Sequence, residues 1–187
     1  IVSFFTSFAF PVMIEDTDAD MLEGLIQKMD LSKGIVFFIS SPGGDGLAAE
    51  RIINVLRSYS GSSDYWVIVP GKAKSAATMV CFGSSKIIMG TTSELGPIDP
   101  QVTISIGDSV KRYSAYNIVE SYNELFENAV KEKDGNLQPY LQQLANYDAR
   151  DIKEFRAALS LSEDIAIRSL QSGMMAGISG DKMQKLL

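Results

Sequence analysis

Apolar residues along the chain switch between two periods, and the switches mark out the elements. From Asp18 to Met29, Met21, Leu22, Leu25, Ile26 and Met29 recur at helical spacing behind an acidic start, which predicts an amphipathic helix. Gly34 introduces IVFFIS, a β-branched and aromatic run of the kind found in buried parallel strands. SPGGDG (Ser41–Gly46) reads as a loop, and Leu47 to Tyr59 returns to helical spacing through Leu47, Ile52, Val55 and Leu56. YWVIVP is a further strand, Ser75 to Phe82 a short apolar helix, KIIMG another strand, and TTSELGPIDP a turn-rich loop. The opening IVSFFTSFAFPVMI is apolar but broken by Ser3, Thr6, Ser7 and Pro11. A bilayer-spanning helix needs about 20 apolar residues, so this stretch predicts a core strand, drawn over Phe8 to Ile14. From Tyr113 onward only helical stripes remain, one through Ile118, Tyr122, Leu125, Phe126 and Ala129, another through Ile152, Phe155, Leu159 and Ile165.

Strands alternating with helices argue for an α/β protein with a mainly parallel sheet and right-handed crossovers. The 187 residues fit one domain, with an α/β core over 1–112 and a helical C-terminal part over 113–187. No internal repeat or linker interrupts it, and DGN at Asp134–Asn136 reads as a helix-helix turn. A net charge of −6 lacks the basic footprint of nucleic-acid binding. The single cysteine, Cys81, excludes an intrachain disulfide framework. The absence of histidine excludes a Ser-His-Asp triad built from this chain alone. The chain starts at Ile1 rather than Met, so the natural protein is expected to extend upstream, with room there for a membrane anchor or signal segment. A cytoplasmic or membrane-associated setting is favoured over a secreted one.

Two loops, each following a predicted strand, carry the candidate chemistry. Ligands of open α/β sheets bind at such strand ends. In SPGGDG, Gly43 and Gly44 let backbone N–H groups approach a substrate with no Cβ in the way, at a helix N-terminus. Each such donor is worth about 3–4 kcal/mol to an oxyanion in a transition state. The same residues also suit a plain strand-to-helix turn capped by Asp45. The second loop brings Ser75 to the start of its own helix, where a serine is either an N-cap or a nucleophile. The small Ala76, Ala77 and Thr78 behind it leave room for substrate, and the Ala76 N–H would complement a donor from the glycine loop.

Other motifs fail on spacing. GKAKS (Gly71–Ser75) lacks the GxxxxGK followed by Ser or Thr of a phosphate loop. Asp16, Asp18 and Asp20 lack the glycine and distal glutamate of a calcium loop and read as helix-starting charges, so no metal is expected.

ISSPGGDG, then KSAAT, then SKIIMGTTSELGPIDPQ together resemble the serine dehydrogenase proteinase family, a relative of signal peptide peptidase A and the Clp-type peptidases. The resemblance runs from about Phe10 to the helices near Leu170, and SELGPIDPQ (Ser93–Gln101) is its most specific piece. It implies the crotonase-like fold, a spiral of β-α units with C-terminal helices that cover one side or mediate oligomerisation. It implies a serine endopeptidase with Ser75 as nucleophile, Gly44 and Ala76 as oxyanion-hole donors, and Pro42 and Gly43 beside the substrate. Where Clp-type enzymes place a histidine, this chain reads Leu95-Gly96-Pro97-Ile98-Asp99, so a Ser-Lys dyad is the substitute that the resemblance offers.

A lysine base must lose its proton near neutral pH, against a free pKa of about 10.4, which takes roughly 4 kcal/mol of desolvation or charge effects. In related membrane-associated proteases the dyad lysine falls just before the helix after the substrate loop, a place that Lys111 fits here, with Arg112 beside it to depress its pKa. Lys74 adjoins Ser75 but is expected to point elsewhere; Lys72, Lys86, Lys131 and Lys133 read as surface charges. Asp99 would orient a base or cap the turn at Pro100. The partners expected are an extended peptide or protein substrate and further copies of the chain in a homo-oligomer; no organic cofactor is implied. Two other functions stay open: a catalytically silent peptide-binding or membrane-complex scaffold, and acyl-CoA chemistry on the same fold.

Overall fold

The computed structural model describes residues 1–9, 12–61, 64–106, 109–132, 135–179 and 182. Its elements in chain order are β1 (Val2–Phe5), α1 (Asp16–Ile26), β2 (Ile35–Ser40), α2 (Gly46–Tyr59), β3 (Tyr65–Val69), β4 (Lys72–Ala73), α3 (Ala76–Phe82), β5 (Lys86–Met89) and β6 (Glu94–Leu95). They continue with β7 (Gln101–Ile106), β8 (Ser109–Ser114), α4 (Ala115–Lys131), α5 (Gln138–Leu144) and α6 (Ala149–Ser172). Contacts divide the chain into two compact units, Ile1–Ile98 with Glu163–Leu187, and Asp99–Ser162.

The first unit is built on a four-stranded parallel sheet of order β1-β2-β3-β5. Residues of IVFFIS alternate buried and half-buried, and Ile35, Phe37 and Ile39 share a face with Tyr65, Val67 and Val69. That face packs into one core with Leu22 and Ile26 of α1, Ile52, Ile53 and Leu56 of α2, and Met79 and Val80 of α3. Tyr65 is buried to its hydroxyl, which donates to the Val80 carbonyl at 2.6 Å and so ties β3 to α3. Cys81 is buried in the same layer, and desolvation pushes its thiol up to about 12, far from a reactive thiolate at neutral pH.

A second layer sits at the carboxyl ends of these strands. After β1, Ile14 bridges Gly44; after β2, Ser41 bridges Ala73; after β3, β4 pairs in parallel with β6, which follows β5. Each β-α unit therefore adds one strand to the main sheet and one short segment to a second ladder before its helix begins. This is the coil of β-α units that the resemblance implies.

The first strand differs from expectation. It is Val2–Phe5, in register with Phe37–Ser40, and not Phe8–Ile14. The Thr6 N–H extends the ladder to the Ser40 carbonyl (3.0 Å), while Ile14 forms only its isolated bridge. Phe10 and Pro11 of the expected strand lie outside the described residues, but a proline carries no N–H for a ladder in any case. The acidic cluster has structural employment: Asp18 accepts the Glu15 N–H at 2.8 Å, and Asp16 and Asp20 pair with Arg51 of α2.

The second unit opens with an antiparallel pair, β7 against β8 from Gln101↔Ser114 to Ile106↔Ser109, so that Tyr113 lies on a strand where only helix was expected. Ser114 then caps α4, its side chain accepting from the Asn117 N–H. Tyr122 of α4 stacks on Phe126 and meets Tyr147 edge-on, and Arg156 donates to Asn123 at 2.6 Å. Lys133 and the Asp134 of the expected helix-helix turn fall outside the described residues. Among the described residues no helix is long and apolar enough to cross a membrane.

Candidate active site

Ser75 stands between β4 and α3 with φ 50° and ψ −122°, the only described non-glycine residue with a positive φ. A left-handed φ costs an L-residue roughly 1–2 kcal/mol, so the turn must be held from outside. The Ser75 N–H donates to the Pro97 carbonyl at 3.1 Å, and the Lys74 N–H donates to the Ser41 carbonyl at 3.0 Å. On the helical side, the Thr78 N–H takes the Ser75 carbonyl at 2.8 Å. A capping serine has extended backbone and accepts an N–H of its own first turn; Ser75 does neither. Asp45 shows the contrast, since its backbone is extended and its carboxylate accepts the Ala48 N–H at 2.9 Å. Asp45 is therefore a cap, whereas the half-buried Ser75 hydroxyl is not spent on its helix.

The glycine loop threads between this turn and the segment before α1. A Cβ on Gly43 (φ 97°) would lie 2.6 Å from the Ser75 Cβ and 3.0 Å from the Ala76 nitrogen, and would strike the Lys74 carbonyl oxygen. A Cβ on Gly44 would lie 2.8 Å from the Ile14 Cα and overlap the Ile14 backbone N and O. The Gly43 carbonyl accepts from the Ile14 N–H (2.8 Å) and the Asp45 N–H donates to the Ile14 carbonyl (2.9 Å). These bonds leave the Gly44 N–H pointing away from Ile14, as strand alternation requires. Among the described residues neither the Gly44 nor the Ala76 N–H donates to a protein acceptor. Ser75, Gly43, Gly44 and Ala76 thus form one cluster, with Pro42 at its half-buried margin.

The lysines differ sharply in surroundings. Lys74 directs its Nζ to Glu94 at 2.9 Å and to the Leu95 carbonyl at 3.3 Å, and Lys72 reaches the same carboxylate at 3.6 Å. The Lys74 hydrogen bond, followed by the charge of Lys72, holds the Glu94 carboxyl below its ordinary value of 4.5. Its depressed folded value means that Glu94 stabilises the fold fully above 4.5 and ceases to do so as pH falls through the lower folded value. Thermal melts of wild type and Glu94→Gln should therefore differ at neutral pH and converge in acid; a gap that persists in acid would assign the effect to something other than this charge.

Lys86 lies over the Trp66 ring at 4.6 Å, and Lys131 pairs with Glu127 at 3.0 Å. Lys111 and Arg112 are exposed on β8 in the second unit, opposite Ile104 and Thr103. Asp99 accepts from the Gln101 side-chain amide at 3.0 Å.

Two hydroxyls that sequence reasoning passed over hold the cluster together. The fully buried Ser41 Oγ accepts the Gly43 N–H at 3.1 Å and a hydrogen bond from the Thr6 hydroxyl at 2.8 Å. Thr78, also buried, donates to the Ala73 carbonyl at 2.8 Å and accepts from the Gly96 N–H at 3.2 Å. Their signal in the sequence is weak: a polar residue abutting an apolar run, which most often is only a strand end or a helix interior.

A parallel α/β coil, with an uncapped serine on a strained strand-to-helix turn beside a glycine loop, has the outline of a serine hydrolase. A family model described as "ClpP-like SDH-type serine proteinase" matches residues 4–155, well over half of the chain. The chain belongs to that family. Among curated proteins it is 35% identical over 97 residues to the uncharacterized protein MJ0137 of Methanocaldococcus jannaschii, covering 51% of this chain and 33% of the relative. A second uncharacterized protein of that organism, MJ1495, is 28% identical over 111 residues, covering 59% and 34%. The matches thus span about a third of the length of these relatives. Among solved structures it is similar to the 1510-N membrane-bound stomatin-specific protease. A serine-to-alanine mutant of that protease is matched at 19% identity, TM-score 0.42, 75% of this chain and 64% of the other. A lysine-to-alanine mutant in complex with a substrate peptide is matched at 18%, 0.42, 74% and 62%.

Proposed function

We propose that this chain is a peptidase module that cleaves extended peptides through an acyl-enzyme on Ser75. The observation that carries the reading is Ser75 itself, held at φ 50° with no capping bond to account for it. Strain of this kind gathers at functional sites, and a serine on a sharp strand-to-helix turn presents its hydroxyl outward.

In this reading a lysine amine takes the Ser75 proton as Oγ attacks the scissile carbonyl carbon, and Lys111 is the candidate for that base. The carbonyl electrons move to oxygen, where the Gly44 and Ala76 N–H groups receive the charge; such donors contribute about 3–4 kcal/mol each. Collapse expels the amine, which regains a proton from the lysine ammonium, and water then repeats the sequence on the ester. The Ser75 N–H is not among the donors, because the Pro97 carbonyl holds it. Substrate main chain beside Pro42 and Gly43 gives affinity through backbone hydrogen bonds, with little demand on side chains.

Fluorophosphonate labelling with mass spectrometry tests this directly on wild type, Ser75→Ala and Lys111→Ala. Modification of Ser75 in wild type, lost in both variants, is the expected result. Modification that survives Lys111→Ala moves the base to another lysine. A folded wild type with no modified serine sinks the peptidase reading and leaves a peptide-binding scaffold.

A further inference from the structure

We infer that Ile14 is a positioning residue, whose main-chain N–H aims the Gly44 N–H at the place where an oxyanion forms beside Ser75; this rests on the peptidase reading above. A peptide unit is planar and trans, so its N–H and C=O point in opposite directions and turn together. The Gly44 N–H shares its unit with the Gly43 carbonyl, and that carbonyl accepts from the Ile14 N–H at 2.8 Å. Holding the carbonyl toward Ile14 therefore sends the Gly44 N–H to the opposite side. The neighbouring units are held by other bonds. The Ser41 hydroxyl accepts the Gly43 N–H of the preceding unit at 3.1 Å, and the Asp45 N–H of the following unit donates to the Ile14 carbonyl at 2.9 Å. Among the described residues, the Ile14 N–H alone is bonded to the unit that carries the donor.

Ile14 is suited to this task by what holds it in turn. Its side chain is fully buried in the core of the first unit. The next residue opens α1, where the Glu15 N–H donates to the Asp18 carboxylate at 2.8 Å. Ile14 is thus anchored from two directions before it meets the loop. The loop itself is pliable: Gly43 at φ 97° and Gly44 carry no side chains, and glycine has the widest choice of other conformations. A Cβ on Gly44 would overlap the Ile14 backbone, so the missing side chain is also what lets the two segments approach. Without the Ile14 N–H, the Gly43–Gly44 unit turns about its flanking bonds and the donor loses its aim. Oxyanion donors act through geometry that is fixed before the reaction.

The test deletes that N–H and keeps the side chain, by replacing Ile14 with its α-hydroxy acid so that an ester stands in the backbone. Fluorophosphonate modification of Ser75 is measured as a saturable process, separating the limiting rate constant from the concentration for half-maximal rate. Phosphonylation develops negative charge on oxygen in the same place, so donor aim enters the limiting rate. The Ile14 ester should lower that rate about tenfold or more, part of the 10²–10³-fold loss for deleting a donor, with little change in half-saturating concentration. Two controls weaken the same region and leave the Gly43–Gly44 unit held. Ile14→Val keeps the N–H and trims the buried side chain; the corresponding ester at Asp45 deletes the companion bond to the Ile14 carbonyl. Both should label near the wild-type rate. If the Ile14 ester does not fold, hydrogen exchange of wild type decides: the Ile14 amide should exchange far more slowly than in an unfolded chain, and exchange at the unfolded rate overturns the inference. A wild-type limiting rate in the folded Ile14 ester, or an equal loss in the Asp45 ester, overturns it and leaves the peptidase reading intact. An unlabelled wild type overturns both.

Discussion

Gly43→Ala should be severely damaging to the first unit, unfolding at markedly lower denaturant and abolishing modification of Ser75. The added Cβ has no free space: it would sit 2.6 Å from the Ser75 Cβ and strike the Lys74 carbonyl oxygen, both parts of a turn held by three segments. Forcing such overlap costs typically 1–3 kcal/mol, and the left-handed φ adds roughly 1–2 kcal/mol for any residue with a side chain. A loss of about 2–5 kcal/mol is expected from the two sources together. Gly24→Ala serves as the control. Gly24 lies inside α1 with open space where its Cβ would be, so the same methyl should stabilise by about 0.5–1 kcal/mol through helix propensity. Guanidinium unfolding of the two variants, with labelling of each in the folded baseline, measures both effects. Equal stability of Gly43→Ala and wild type would mean that the loop does not press against the Ser75 turn as described.

The second prediction separates what Ser75 does for chemistry from what it does to the fold. Ser75→Ala and Ser75→Gly should both lose activity, by as much as about 10⁶ in kcat where a nucleophile acts within a catalytic unit. Their stabilities should diverge. Alanine retains the Cβ that makes φ 50° unfavourable, whereas glycine removes the conflict, worth roughly 1–2 kcal/mol, against an entropic cost of about 0.5–1 kcal/mol. Ser75→Gly should therefore be the more stable inactive variant, by up to about 1.5 kcal/mol. The backbone bonds to Pro97 and Thr78 are available to both variants, so the comparison isolates the φ cost. If Ser75→Gly melts below Ser75→Ala, the turn is not strained and the structural case for a special serine falls.

How far the sequence disclosed this arrangement depends on the kind of signal. IVFFIS and YWVIVP declared themselves because a strand buried in a parallel sheet is a compact apolar run, and α1 and α2 because their stripes are regular. The first strand was displaced because Val2–Phe5 and Phe8–Ile14 are both apolar, and only the register against Phe37–Ser40 chooses between them. The pairing of β7 with β8 was missed although QVTISI alternates polar and apolar residues strictly, a strand signal; its partner SVKRYS breaks the alternation at Lys111-Arg112 and does not declare itself as a strand. In the site, Ser75 and the glycines were visible as residue types, but the N-cap and nucleophile readings of Ser75 differ in a dihedral angle, which no spacing reveals. The roles of the Ser41 and Thr78 hydroxyls were invisible for a related reason; Thr78 was read only as a small residue leaving room for substrate, whereas it is buried. Their importance lies in which carbonyl or N–H they meet after the chain has coiled, at separations in sequence unrelated to any local period.

The second ladder also makes this unit resemble a one-dimensional lattice. Ile14 touches Gly44, Ser41 touches Ala73, and β4 touches β6, each segment bonded to the one contributed by the next turn of the coil. In such nearest-neighbour systems stability is close to a sum of unit and interface energies, and a perturbation passes along the stack one interface at a time. The glycine loop and Ser75 occupy adjacent sites of that lattice, in its interior, with Ile14 on one flank and Glu94–Leu95 on the other. Fraying that begins at an outer turn must therefore cross an interface before it reaches either loop. The chemistry is sheltered by its place in the stacking order as much as by burial.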